Sequence, residues 1–241
     1  YLYQATVQQL QLQILSKPYQ KMIKNKETTI KEIQKQGLLP LFYYDDAQVS
    51  LEVSRTLYKA GVRVFEYTNR GDAALKNFKF LKDALQHEMQ DLFLGIGTIK
   101  NVQECEAFLN AGADFVVCPV VDLEVGKLVH ERDLLWIPGC MTPTEISVAQ
   151  EYKAMLIKIF PANILGPEFI SSIKVLFAGQ LFMPTGGVEI NADNLKTWFK
   201  AGVCAVGMGS KLISKDVMSK ELYEELFDNT KLALDLIQQS K

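Results

Sequence analysis

The chain has 241 residues, of which 48% are hydrophobic and 22% charged, and its formal net charge is -2. This length fits one large α/β domain or two small ones. The balanced charge argues against a nucleic acid or a membrane surface as the main partner. No apolar run reaches the roughly 20 residues that a membrane-spanning helix requires.

Residues 1–21 differ in composition from the rest of the chain, with six glutamines and no acidic residue. They lack the basic start and the apolar core of a signal peptide. We expect an N-terminal extension, natural or added by cloning, that carries no catalytic residue. One folded domain is expected at residues 22–241, and its first element, MIKNKETTIKEIQKQG, has the pattern of a capped helix.

From residue 38 onward, short β-branched runs alternate with amphipathic helical segments. Strict alternation of eight strands with helices predicts a closed parallel (β/α)8 barrel, the TIM-barrel fold of the α/β class. The rival is an open doubly wound sheet, which should have a glycine-rich turn after its first strand, and LFYYDDAQ has none. The predicted strands are LLPLFYY (38–44), VRVFEYTN (62–69), LFLGIGTI (92–99), DFVVCPV (114–120), LLWIPGC (134–140), MLIKIFP (155–161), LFMPTGG (181–187) and VCAVGMG (203–209).

The cysteine pattern indicates reduced thiols without a metal site. The four cysteines form no CxxC pair and the chain has only two histidines, so the spacing of a zinc site is missing. Buried, reduced thiols fit a reducing cytoplasm. These cysteines are Cys105, Cys118, Cys140 and Cys204.

Two predicted strands carry charges, although a parallel sheet covered by helices should be apolar on both faces. In VRVFEYTNR, Glu66, Thr68 and Arg70 alternate and therefore project to one face. In MLIKIFP, Lys158 shares a face with Phe160. One interpretation is a structural ion pair of Glu66 with Lys158 or Arg70. The other is an active site at the C-terminal end of the barrel, with Lys158 as the neutral amine of a Schiff-base enzyme.

Glycine-rich turns end the last two predicted strands. PTGGV (184–188) and GMGS (207–210) each lead toward a helix, and the second helix is predicted to begin near Ser210. Such turns after strands seven and eight of a barrel form a recurrent phosphate site from backbone N–H groups. The pair therefore predicts a phosphorylated substrate.

Six segments of the sequence carry a family resemblance. VFEYTNRG, GIGT, IPGCMTPTE, IKIFPA, FMPTGGV and VGMGS resemble, in this order, the motifs of the 2-keto-3-deoxy-6-phosphogluconate (KDPG) and 4-hydroxy-2-oxoglutarate (KHG) aldolases, over residues 28–240. CPVVD after the fourth strand departs from the Ser-Pro pair, followed by glycine or histidine, of many members. This departure is expected to alter the rim of the pocket and to leave the catalytic groups in place.

The resemblance implies a cytoplasmic, homotrimeric class I aldolase of Entner–Doudoroff carbohydrate metabolism that uses no metal and no other cofactor. It implies Lys158 as the Schiff-base lysine and Glu66 as the general acid/base. The implied substrate-binding residues are Arg70, Thr98 and Gly97 for the keto-acid carboxylate, Thr185 for a hydroxyl, Gly186, Gly187, Gly209 and Ser210 for the phosphate, and Pro119 and Phe160 beside them.

Several alternatives stay open. The substrate can be KDPG, its C4 epimer 2-keto-3-deoxy-6-phosphogalactonate, or KHG, and the two glycine turns favour a phosphorylated acid over KHG. A phosphate-binding barrel isomerase or synthase, with Lys158 as a proton donor, is a second class of function. A non-catalytic barrel that binds a sugar phosphate is a third.

Overall fold

The computed structural model describes residues 23–241, so the predicted extension at 1–21 lies outside the described residues. The first helix, α1 (Lys26–Gln36), begins at a capping box formed by Asn25 and Thr28 and ends at Gly37, whose φ of 73° is left-handed. The capped helix predicted at this place is therefore confirmed.

Strands and helices alternate along the rest of the chain. The strands are β1 (Leu38–Phe42), β2 (Val64–Thr68), β3 (Phe93–Gly97), β4 (Phe115–Val117), β5 (Leu135–Ile137), β6 (Gly139–Cys140), β7 (Leu156–Ile159), β8 (Leu181–Pro184) and β9 (Val206–Met208). The helices are α2 (Ala47–Lys59), α3 (Ala74–Glu88), α4 (Val102–Asn110), α5 (Leu123–Glu131), α6 (Pro143–Glu151), α7 (Ala162–Ile173), α8 (Ala192–Ala201), α9 (Lys215–Ser219) and α10 (Tyr223–Ser240).

These strands close into a parallel barrel. β5, β4, β3, β2, β1 and β9 are hydrogen-bonded in that order, and β6, β7 and β8 form the remaining wall. β5 and β6 are two halves of one barrel strand separated by Pro138, which has no N–H to donate. A parallel bridge between Thr185 and Gly207 joins the end of β8 to β9. The (β/α)8 prediction is thus confirmed over the open sheet.

The lower, N-terminal half of the barrel interior is filled by apolar side chains. Phe93, Phe115 and Leu156 are fully or almost fully buried there, and Ile30 and Ile33 of α1 cover them from below. The opposite strand faces form a second, larger core against the helices. Because successive side chains of a strand alternate between faces, Glu66 shares the inner face with Val64, and Lys158 shares it with Leu156.

Two details of the prediction are wrong. Most of the strands end one to three residues before the predicted limits, since the chain turns away from the barrel as soon as it reaches the rim. No helix begins near Ser210: the chain makes one turn, in which Ile213 N–H donates to the Gly209 carbonyl at 2.8 Å, and α9 begins at Lys215. Within residues 23–241, no helix is long and apolar enough to cross a membrane.

Candidate active site

Lys158 lies in the middle of the barrel interior with 4% of its surface exposed. Its strand, β7, pairs with Gly139 on one side and Met183 on the other at this level. The ammonium nitrogen lies 5.0 Å from the centroid of the Phe160 ring. Among the described residues, Lys158 takes part in no ion pair within 4.0 Å. The lysine therefore projects into the upper barrel, and no carboxylate of residues 23–241 is in contact with it.

Glu66 lies on the wall opposite Lys158. With β5 and β6 as one strand, β2 and β7 are separated by three strands in either direction around the barrel. Glu66 is 1% exposed, and neither carboxylate oxygen has a hydrogen-bond partner among residues 23–241. Its carboxylate packs over the α-carbon of Gly97, where any Cβ would overlap Oε1. The structural ion pair considered as an alternative is not formed.

The environment changes the acidity of Glu66. Burial raises the pKa of its carboxyl group, and the positive charges of Lys158 and Arg70 act in the opposite direction without cancelling this effect. A carboxyl group whose pKa is raised above its ordinary value is the kind of group that can both accept and donate a proton in one catalytic cycle. Glu66 is therefore a candidate for this kind of chemistry.

The loops after β2 and β3 lie side by side above Glu66. Asn69 N–H donates to the Gly97 carbonyl at 2.8 Å, which joins the two loops. Arg70 is exposed in the first loop, and Thr98 in the second is half-buried with a left-handed φ of 63°. Left-handed backbone is uncommon for a threonine, and such residues are frequent at functional sites. These loops present a guanidinium and a hydroxyl beside the Glu66 wall.

The two glycine turns meet on the other side of the opening. The Thr185–Gly207 bridge aligns the ends of β8 and β9, so the turns that follow them are neighbours. Gly186 and Gly187 have left-handed φ angles of 97° and 74°. Within the described chain, the backbone N–H groups of Gly187 and Ser210 donate no hydrogen bond. Gly209 begins the second turn and accepts from the Leu212 N–H at 2.9 Å.

Three further predicted residues lie at the same level. Thr185 is 7% exposed, and its hydroxyl has no partner among residues 23–241. Its side chain packs over the α-carbon of Gly207. Pro119, after β4, and Phe160, after β7, are half-buried on inner-face positions. All the predicted site residues therefore lie on the inner face of the barrel or at the C-terminal ends of its strands.

The sequence analysis missed Gly139 as part of this site. A Cβ at Gly139 would lie 2.5 Å from the carbonyl oxygen of Pro119, so only glycine lets β6 approach the loop after β4 so closely. The signal was available, because Gly139 is in the quoted motif IPGC. The departure CPVVD has a local role: Asp122 caps α5 by accepting from two backbone N–H groups.

The cysteines are not part of this chemistry. All four are free, and burial raises the pKa of each thiol to about 12, so they are poor nucleophiles. No cluster of His, Cys, Asp and Glu suited to a metal ion occurs in the part of the chain that the structure describes.

Comparison with known proteins identifies relatives of this chain. A family model described as KDPG and KHG aldolase matches residues 29–228. The KHG/KDPG aldolase of Escherichia coli K12 is 28% identical over 222 residues, which cover 91% of this chain and all of that protein.

Solved structures agree with this result. The 4-hydroxy-2-oxoglutarate/KDPG aldolase from TTHB1 has a TM-score of 0.74 and 30% identity, with 87% of this chain and 98% of that chain covered. KDPG aldolase from Legionella pneumophila, with pyruvate captured as a covalent carbinolamine intermediate, has a TM-score of 0.76 over 83% and 95% of the two chains. At 21% identity the latter shows the fold alone. Because the family model matches residues 29–228, which are most of this chain, the chain belongs to the KDPG and KHG aldolase family.

Proposed function

We propose that this protein cleaves KDPG to pyruvate and glyceraldehyde 3-phosphate through a Schiff base on Lys158. The observation that carries the proposal is the placement of Lys158 and Glu66. They are buried on opposite walls of the barrel, and Glu66 has no hydrogen-bond partner among the described residues. Isolated buried charges cost several kcal/mol, and covalent catalysis gives a reason for a lysine in this place.

The reaction begins at the keto group of the substrate. The neutral Lys158 amine adds to C2, and the resulting carbinolamine takes up a proton and loses water to give an iminium ion. Glu66 then takes the proton of the C4 hydroxyl, directly or through a water molecule. The C3–C4 bond breaks, its electron pair forms the enamine, and glyceraldehyde 3-phosphate departs. Positioned acid/base catalysis of this kind contributes about 10²–10⁴ in rate.

The second half of the cycle returns the enzyme to its initial state. Protonated Glu66 donates its proton to C3 of the enamine, which restores an iminium ion of pyruvate. Water adds to this ion, pyruvate leaves, and the Lys158 amine is free again after release of the proton that was taken up when the first iminium ion formed. A single carboxyl group thus supplies the proton that it accepted, so protons balance over the cycle.

The two ends of the substrate are held by different parts of the rim. We assign the keto-acid carboxylate to Arg70, Thr98 and the backbone near Gly97, because a guanidinium binds a carboxylate through two parallel hydrogen bonds. The phosphate is assigned to the two turns of Gly186, Gly187, Gly209 and Ser210, whose N–H groups suit an anion. Thr185 meets a hydroxyl, while Pro119 and Phe160 line the pocket.

The substrate preference follows from the phosphate turns. KHG has no phosphate, so it leaves those turns unused, and we expect a lower kcat/KM for KHG than for KDPG. The C4 epimer keeps the phosphate and differs only in the direction of the hydroxyl that Glu66 deprotonates. A comparison of kcat/KM for the three acids tests the assignment, and a higher value for KHG contradicts it.

Borohydride reduction with pyruvate tests the covalent step. We expect the intact protein to gain the mass of one reduced pyruvate adduct, and peptide mapping to locate it on Lys158. Lys158→Met should abolish the adduct and lower kcat for KDPG by at least about 10⁴-fold, since no other group replaces the nucleophile. The control is Lys196→Met, which removes an exposed lysine of α8 and should leave both unchanged.

The same experiment separates the rival functions. Turnover of a sugar phosphate without an adduct would favour a barrel enzyme of another class, with Lys158 as a proton donor. Binding of KDPG without turnover would favour a non-catalytic barrel. An adduct on a different lysine would refute the role of Lys158.

A homotrimer in the cytoplasm is the assembly and location that we propose. Its support is the resemblance, together with exposed apolar side chains on the loops after β4 and β6 and in the first turn of α7, which follows β7: Val120 is 49% exposed, Met141 38% and Ile164 66%. Because these strands are neighbours in the barrel, such side chains form an edge suited to subunit contact. Light scattering during size-exclusion chromatography measures the mass, and a monomer at micromolar concentration would refute the trimer.

A further inference from the structure

The turn after β8 is held from behind by Asn194, a residue of the first turn of α8. Its side-chain oxygen accepts from the Glu189 N–H at 3.0 Å. Its side-chain nitrogen donates to the Gly187 carbonyl at 3.2 Å. One amide therefore fastens both ends of the segment Gly187–Glu189.

This segment needs such a fastening because its own residues define its shape weakly. Gly186 and Gly187 are both left-handed, and glycine populates many other conformations at little cost. Val188, between the two fastened residues, is 2% exposed and anchors the segment in the core. The contacts from Asn194 select one orientation of the Gly187 peptide groups.

The segment is also connected to the second glycine turn. The Glu189 carboxylate forms an ion pair with Lys211 at 2.7 Å, and Lys211 directly follows Ser210. The Lys211 side chain is 60% exposed and the Glu189 side chain 50%, so the pair itself contributes little to stability. It does place a cation next to the second turn and ties this turn to the segment that Asn194 holds.

We propose that Asn194 is a positioning residue for the phosphate end of the substrate. It contacts none of the groups assigned to the covalent chemistry and acts by fixing the Gly187 turn, whose N–H groups would bind the phosphate. The proposal rests on the proposed aldolase function. It predicts that loss of Asn194 weakens the use of phosphorylated substrates and leaves the Schiff-base chemistry intact.

Asn191 provides a matched control at the same end of the same helix. It is the N-cap of α8, and its side-chain oxygen accepts from the Asn194 N–H at 3.0 Å. Asn191→Ala removes the helix cap and leaves the Asn194 side chain with both of its contacts to the turn. If Asn194 served only to stabilise the start of α8, the two alanine variants would behave alike.

The test compares a phosphate-dependent measurement with one that does not depend on phosphate. For Asn194→Ala we expect the KM for KDPG to rise about tenfold, as expected for the loss of two ordinary hydrogen bonds. The Ki of inorganic phosphate as a competitive inhibitor should rise in parallel. Formation of the borohydride-trapped pyruvate adduct, and kcat at saturating KDPG, should change less than twofold. Asn191→Ala should lower the unfolding temperature and change neither KM nor Ki by more than twofold.

The proposal is wrong if Asn194→Ala lowers pyruvate trapping and KDPG use equally, or if both variants raise the KM equally. Should Asn194→Ala not fold, Asn194→Asp, which keeps an acceptor for the Glu189 N–H and loses the donor to Gly187, takes its place with the same expectations. An unchanged KM in that variant overturns the proposal. If the wild-type protein forms no pyruvate adduct, the proposed function itself fails, which is a different outcome.

Discussion

The lower and upper halves of the barrel interior are built on the same strands but from opposite kinds of residue. The lower half holds large apolar side chains such as Phe93, Phe115 and Leu156. The upper half holds two buried ionisable side chains, Glu66 and Lys158, and the Thr185 hydroxyl, which has no hydrogen-bond partner among residues 23–241. Around these groups the inner face carries small residues: Gly97, Gly139, Gly207 and Gly209.

The residues that stabilise the fold therefore lie at the N-terminal ends of the strands, and the residues suited to chemistry lie toward the C-terminal ends. Burial of the lower side chains is favourable at roughly 25 cal/mol per Å² of apolar surface. Burial of isolated charges in the upper half is unfavourable. The glycines leave room above the packed layer, and the Glu66 carboxylate occupies part of it, over Gly97. The favourable burial in the lower half thus offsets the unfavourable free energy of burying the charged groups in the upper half.

Replacement of Glu66 by glutamine should give the largest contrast between activity and stability. We expect Glu66→Gln to lower kcat for KDPG by about 10²–10⁴-fold, the usual contribution of a positioned acid/base. Burial raises the pKa of Glu66, so the acid limb of the wild-type kcat/KM profile lies at a higher pH than for an ordinary glutamate. This limb should disappear in the variant. Stopped-time assays across pH check both. A variant that keeps wild-type activity and the same acid limb would remove Glu66 from the mechanism.

The same variant should show the cost of the buried carboxylate. Because the pKa of Glu66 is raised in the folded protein, the folded state holds a proton that the unfolded state has released above about pH 4.3. The free energy of unfolding of the wild-type protein therefore falls as pH rises from about 4.3 to the raised pKa of Glu66. This group contributes up to about 1.4 kcal/mol of that loss per pH unit. Glu66→Gln lacks this loss, so its free energy of unfolding, measured in urea, should increase relative to that of the wild type from pH 4 upward. A constant difference across pH would contradict the raised pKa.

Replacement of Phe115 tests the lower half. Phe115 is fully buried, and its ring packs over Gly95. We expect Phe115→Ala to lower the free energy of unfolding by about 3–5 kcal/mol, because the surrounding barrel cannot close the cavity. The kcat of the protein that remains folded should change little. Urea unfolding and active-site titration by pyruvate trapping check this, and an activity loss larger than the loss of folded protein would show that the two halves are coupled.

A pair of glycine variants on β3 gives the smallest and sharpest test. Gly95 and Gly97 are two residues apart on the inner face, and an added Cβ overlaps the Phe115 ring at the first and the Glu66 carboxylate at the second. Gly95→Ala should cost about 1–3 kcal/mol of stability, the range for an overpacked core. Gly97→Ala should displace Glu66 and lower kcat about tenfold, by weakening general acid/base catalysis, with little loss of stability. Equal effects of the two variants on activity would contradict the division between the halves.

Much of the site was predictable because strand periodicity places alternate residues on one face. Glu66 and Lys158 stand out in runs such as VFEYT and LIKI, which otherwise read as buried strand, and glycine pairs stand out in the last two turns. The roles implied by the resemblance stay predictions until the variants are measured. Gly139 was missed because the need for glycine at that position depends on a residue distant in the sequence, Pro119 in the loop after β4, whose carbonyl oxygen a Cβ would overlap.

The limits of the elements were less predictable, since local propensity does not report where a strand leaves the barrel. The turn at Gly209–Ile213 shows this: its residues suit a helix start, yet the chain is directed away to α9 after a single turn. The contacts of Asn194 with Gly187 and Glu189 likewise join loop and helix across several residues, and no short-range sequence pattern predicts them.

The alternation of strands and helices, and with it the barrel, follows from the sequence alone, because hydrophobic period and glycine turns are local properties. The same local patterns identify the charged side chains that are unusual in a buried strand. That Glu66 and Lys158 lie on opposite walls, with no ion pair between them, depends on where β2 and β7 fall around the closed ring and is visible only in the folded chain. Closure brings residues 92 positions apart in the chain to one opening, and the low polarity there, through burial, sets the acidity of Glu66.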